Sequence, residues 1–109
     1  MPAPLSFAAE RFLRSYVSSV LQLDALTLLH DDPERWWTTA SIASQLHVGE
    51  PAAASALEAL GRANVLDVRL GAHLSYRYAP VDAHLARTID EIADAHYRGR
   101  DALVACIGG

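Results

Sequence analysis

The sequence predicts a mainly α-helical fold carrying one small β-hairpin. Three observations point to it. Thr38 to Ala63 reads as two short helices joined by the turn His47-Val48-Gly49. Val65 to Tyr78 holds two runs of apolar–polar alternation separated by Gly71-Ala72-His73. On either side, residues 6–30 and 82–107 place apolar side chains at helical steps. At 109 residues the chain is long enough for one domain with one core. The expected core unit is about 23–80, flanked by helices over about 6–22 and 82–107.

Ser6 is a cap for a first helix whose apolar positions are Phe7, Phe12, Leu13, Tyr16, Val17 and Val20. The apolar set continues through Leu21, Leu23, Leu26, Leu28 and Leu29 to His30. An unbroken helix of that length is long for a small domain, so a bend or restart is expected between Ser18 and Leu23. Asp31-Asp32-Pro33 ends the run, because Pro33 disfavours the α region at Asp32 and has no N–H to donate. Trp36 and Trp37 follow in extended backbone.

Thr38 caps a short helix over Thr39–Leu46, with Ile42, Ala43 and Leu46 on its inner face. Pro51 falls in the first turn of the next helix, where a missing N–H costs nothing. That helix runs to about Ala63. Asn64 then stands where a left-handed residue ends it. In the hairpin, Leu66, Val68 and Leu70 share one face, and Asp67 and Arg69 the other. Leu74, Tyr76 and Tyr78 alternate in the same way with Ser75 and Arg77. Asp82 caps a last helix with Leu85, Ile89, Ile92, His96, Leu103 and Ile107 on one seam. Gly99 lies on that seam and costs about 1 kcal/mol against Ala in a helix interior, so a kink or a close helix contact is expected there.

Composition narrows the functional classes. About half the residues are apolar, which marks a globular chain. The net charge is −4, and all nine basic residues are Arg. Since cations meeting phosphates supply most sequence-independent DNA affinity, an acidic chain starts at a disadvantage as a nucleic-acid binder unless its cations cluster. No apolar run has signal-peptide or membrane-span length, so no membrane association is expected. The single cysteine, Cys106, reads as a small buried hydrophobe and fits a reducing, cytoplasmic setting.

The stretch WTTASIASQLHVGEPAAASALEALGRANVLDVR, followed by LSYRYAP, resembles the winged helix-turn-helix domains of bacterial transcriptional regulators. The likeness covers Leu23 to Pro80. Ala43 stands where the family keeps a small residue at the helix crossing. Val48 stands at the plug of the turn, and Ala53, Leu57 and Leu60 at the buried positions of the recognition helix. The resemblance implies a winged core with extra N- and C-terminal helices, and duplex DNA as partner.

The departures bear on function. His47 stands where the family often has Gly, and Gly49 where it has a capping Ser or Thr that often touches phosphate. Such a cap is worth about 1 kcal/mol against Ala, and less against Gly. The outward positions Ala52, Ala54, Ser55 and Glu58 offer no Arg, Asn or Gln for bidentate base reading. Between Trp37 and Pro80, three Arg balance three acids. The expected DNA contacts are therefore Thr38, Thr39 and Ser55 with the wing residues Arg69 and Arg77. A solvated sheet face, with Asp67 as cross-strand partner, is the competing reading of the two arginines.

Other constellations carry less. The five histidines include no i, i+4 pair on one helix, and Cys106 has no second thiol, so no metal site is expected. No phosphate loop, nucleophile elbow or paired carboxylates point to catalysis or to a cofactor. Asp90, Glu91 and Asp94 read as a solvated acidic face. Trp37 reads as core, and Trp36 as edge packing or an anchor for a protein partner. The first and last helices are expected to pair two copies of the chain, with Tyr16, Ile89, Ile92, His96 and Leu103 at the contact. Packing of those helices on each other within one chain is the alternative. The leading reading is a homodimeric regulator with modest sequence specificity; the second is a protein-interaction module that has lost DNA binding.

Overall fold

A computed structural model describes residues 5–99. The elements run α1 (Phe7–Tyr16), α2 (Val20–Asp31), β1 (Trp37–Thr38), α3 (Thr39–Leu46), α4 (Glu50–Arg62), β2 (Leu66–Arg69), β3 (Ser75–Tyr78) and α5 (Ala83–Arg98). The expected restart after the first helix is present. The Ser19 side chain accepts from Gln22 N at 3.2 Å, while Ser18 N donates to Gln22 Oε1 at 2.8 Å. These local bonds satisfy orphan donors at the start of α2 and let the chain turn at Val17.

α2 is the central helix. Leu23, Ala25, Leu26, Thr27 and Leu29 are all buried. Thr27 satisfies its hydroxyl by donating to Leu23 O and Asp24 O. Around it, one cluster joins Phe12, Leu13 and Val17 of the α1 segment to Ile42, Leu57, Leu60, Val65, Ile89 and Ile92. α3 begins with a reciprocal box: Ser41 N donates to Thr38 Oγ1 at 3.1 Å and Thr38 N to Ser41 Oγ at 2.9 Å. His47 ends α3 in the left-handed region at φ 58°, and Asn64 takes φ 64° just after α4. Gly49 leaves α4 without a side-chain cap.

One expectation is extended and another corrected. The hairpin is part of a three-stranded antiparallel sheet in the order β1-β3-β2. Trp37 pairs with Tyr76 and Thr38 with Ser75; two residues are too few to show a period in sequence. The last helix does not pass through Gly99, which instead follows it as C-cap, its N–H bonded to Ala95 O. Leu103, Cys106 and Ile107 lie outside the described residues. No described helix is long and apolar enough to cross a membrane.

α1 and α5 pack on each other within the chain. Ser6 N and Oγ each donate to the Glu91 carboxylate at 2.6 Å, while Ser6 Oγ accepts from Ala9 N. The acidic face of α5 is solvent-exposed, as expected, and also carries contacts: Asp90 meets His30 Nε2 at 2.8 Å, and Asp94 meets Arg98 at 3.1 Å.

Candidate nucleic-acid interface

The outer face of the sheet gathers three side chains from three places. Asp67 lies opposite Arg77, and Arg69 opposite Ser75, so both arginines project from one face. Continuing the β1 register one step brings Trp36 across from Arg77. The Trp36 ring centroid is 4.3 Å from Arg69 Cζ and 4.5 Å from Arg77 Cζ. Arg77 also donates to Asp67 Oδ2 at 3.0 Å. On the neighbouring indole, Arg35 Cζ sits 3.7 Å from the ring centroid of Trp37, which is buried in the core.

A shallow hollow of about 380 Å³ lies beside this face, lined by Thr38, Thr39, Ala40, Glu50, His73 and Leu74. It brings the start of α3 and the start of α4 against the hairpin tip. Thr38 and Thr39 therefore stand together at the hollow, with the Thr38 oxygen already accepting from Ser41 N. Ser55 is exposed on α4 beside Ala52 and Glu58. The hairpin tip exposes Val68, Leu70 and Leu74, with Leu70 82% exposed.

The two short helices, the turn between them and the hairpin returning beside the first strand match known structures closely in shape. HlyU from Vibrio cholerae superposes with a TM-score of 0.62 at 17% identity, over 85% of this chain and 94% of that one. A possible transcriptional regulator from Methanosarcina mazei gives 0.59 at 15% identity, over 86% and 82%. The adhesin competence repressor of Streptococcus pyogenes gives 0.59 at 14%, over 80% of this chain and 63% of its own. The fold is a winged helix. No protein-family model matches the chain, and no curated protein is significantly similar to it in sequence.

In winged-helix terms α4 is the recognition helix and β2-β3 the wing. Ala53, Leu57 and Leu60 of the recognition helix are fully buried, which fixes its outward face as Pro51, Ala52, Ser55, Glu58 and Arg62. That face holds one hydroxyl, two proline or alanine surfaces and a charge of each sign. The wing, by contrast, holds two guanidinium groups within 4.5 Å of one indole centroid. Sequence reasoning placed Arg69 and Arg77 together and set Trp36 at the edge with Trp37 in the core, but did not place Trp36 between the two arginines, a position that depends on the two-residue strand β1.

The expected contact between copies fares differently. Ile89 and Ile92 are 1% and 0% exposed within a single chain, so neither is open to a second molecule. Their apolar surface is already used by α1 and α2. His96 is half-buried, with Nε2 3.6 Å from Asp24 Oδ1. Tyr16 remains exposed, its ring tilted against Phe12 with centroids 5.3 Å apart.

A second polar cluster ties α2, the end of the wing and α5. His30 contacts Asp90 and packs edge-on to Tyr78 at 5.3 Å, and the Tyr97 hydroxyl donates to Asp31. Burial, and then the Asp90 charge, push the Tyr78 hydroxyl up to about 12. The hydrogen bond to Asp31 likewise raises Tyr97. Among the described residues no group of three or more His, Cys, Asp or Glu is placed to hold a metal ion.

Proposed function

We propose that the chain is a DNA-binding transcriptional regulator that grips the phosphate backbone more than it reads bases. The observation carrying this reading is the pair Arg69 and Arg77, both set over the Trp36 ring on the wing's outer face. Thr38 and Thr39 add hydroxyls at the adjoining hollow, and Ser55 adds one on the recognition helix. The winged-helix neighbours, a repressor and a possible transcriptional regulator among them, support the same class. With no Arg, Asn or Gln facing outward on α4 except Arg62 at its end, sequence discrimination is modest. The reading includes no catalytic role and no cofactor, and it goes with a cytoplasmic site of action.

The active species in this reading is a homodimer. With Ile89 and Ile92 inside the core, one surface among the described residues that could take a second copy is the groove of about 470 Å³ between α1 and α5. Phe7, Phe12, Tyr16 and Leu85 line it, and Phe7 is 79% exposed. The competing reading, a protein-interaction module, draws on the uncharged stretch of α4 and the exposed wing-tip residues Val68, Leu70 and Leu74.

Fluorescence anisotropy with labelled genomic duplexes over a salt series tests the reading. Binding should appear near about 50 mM salt and weaken steeply as salt rises. No binding at that salt sinks the DNA reading and leaves the interaction module. Sedimentation equilibrium should give a dimer that Phe7→Ser with Tyr16→Ser splits into folded monomers.

A further inference from the structure

We infer that Trp36 is a positioning residue whose indole holds Arg69 and Arg77 as a paired phosphate clasp on the wing. The inference rests on the DNA-binding reading above. Trp36 is half-buried and does not belong to the core cluster, which takes its neighbour Trp37 instead. Its ring is met by two guanidinium groups from two different strands, both well within cation–π range. The outward indole is therefore covered by cations of its own chain, which leaves little of it to anchor a protein partner.

The chemistry suits phosphate. A guanidinium group stacks through its face, whereas its N–H donors lie in its plane. Contact with the Trp36 ring, at 4.3 and 4.5 Å from Cζ to centroid, can thus hold an arginine through its face and leave its donors for another partner. An ion pair orders an arginine by occupying donors, as Asp67 does to one nitrogen of Arg77. In this arrangement Arg69 and Arg77 each keep donors for a phosphate oxygen while the indole limits the side-chain positions open to them. Less side-chain freedom is then lost on binding, which is the gain from preorganisation.

The test compares Trp36→Leu and Trp36→Phe with the wild type. A fluorescein-labelled duplex of mixed sequence is titrated over a salt series, and ¹⁵N relaxation of the Arg69 and Arg77 Nε–H groups is measured in the free protein. Thermal melting checks the fold. Trp36→Leu should bind about tenfold more weakly. Its plot of log affinity against log salt should flatten by about one to two in slope, for one or two lost phosphate contacts. Both Nε–H groups should become more mobile, and Trp36→Phe should fall between. If wild type and Trp36→Leu bind alike with equal slope, the positioning role is overturned while the DNA reading stands. Weaker binding at unchanged slope and unchanged arginine mobility also overturns it, because a general loss of stability then suffices. If the wild type itself does not bind, the DNA reading fails first and takes the inference with it.

Discussion

The Tyr78 hydroxyl is buried without a hydrogen-bond partner among the described residues, and burial together with Asp90 raises it from 10.0 to about 12. Between those two pH values the unfolded chain ionises at this residue and the folded chain does not. Stability from Tyr78 is therefore complete below pH 10.0 and is lost as pH rises towards about 12. Tyr78→Phe removes the ionising group and an unsatisfied polar atom together. Melts of the variant should match or exceed wild type near neutrality and exceed it clearly in the alkaline range; a variant that melts lower at both would contradict the account. His47 holds a second local cost, since φ 58° is unfavourable for a residue with a Cβ. His47→Gly should raise unfolding free energy by up to about 1 kcal/mol in urea titrations. The chain shows its left-handed position after α4 openly, through Asn64. At His47 the residue type did not announce the conformation; the hint lay in the resemblance, where the family often has Gly at that position.

Between elements, the tie from Ser6 to Glu91 joins two helices whose contacting residues are 85 positions apart. Ser6 both caps α1 and donates to the carboxylate, so its loss should cost about 1 kcal/mol from the cap alone. Glu91→Gln should cost less. In a double-mutant cycle the two changes should be sub-additive, because they remove one network. Additive values would mean that Ser6 acts only as a local cap. This pair also explains what the sequence made legible. Caps at Ser6, Thr38 and Asp82 are short-range chemistry and were readable, as were the buried periodicities of α3 and α4. The partner of Glu91 was not, since a carboxylate on a helix surface gives no sign of what folds beside it. The seam of α5 was read correctly as apolar, yet Ile89 and Ile92 found their partners within the same chain. Periodicity identifies a buried face without saying which molecule covers it.

Across the whole molecule, DNA binding as proposed requires a chain of net charge −4 to receive a polyanion on one face. Acids are concentrated around the α2 end and along α5, at Asp31, Asp32, Asp90, Glu91 and Asp94, while Arg35, Arg69 and Arg77 sit at the sheet. The alternation of the wing strands made the two arginines readable as a pair. Their support by Trp36 depends on a strand of two residues and was hidden. Asp67 sets the remaining limit on this face. Its carboxylate lies 3.0 Å from Arg77, so in the proposed reading it must release part of that arginine before a phosphate can take its place. The pair is solvent-exposed, so its loss should change stability by less than about 1 kcal/mol. For binding the same change removes a negative charge from the contact face and frees a donor. Asp67→Asn should thus bind a mixed-sequence duplex several-fold more tightly and steepen the salt dependence by up to about one in slope. The gain should shrink in high salt, where screening already weakens the Asp67 charge. Anisotropy titrations of the two proteins at matched salt decide it: equal affinities at low salt would mean that phosphate does not approach this face of the wing.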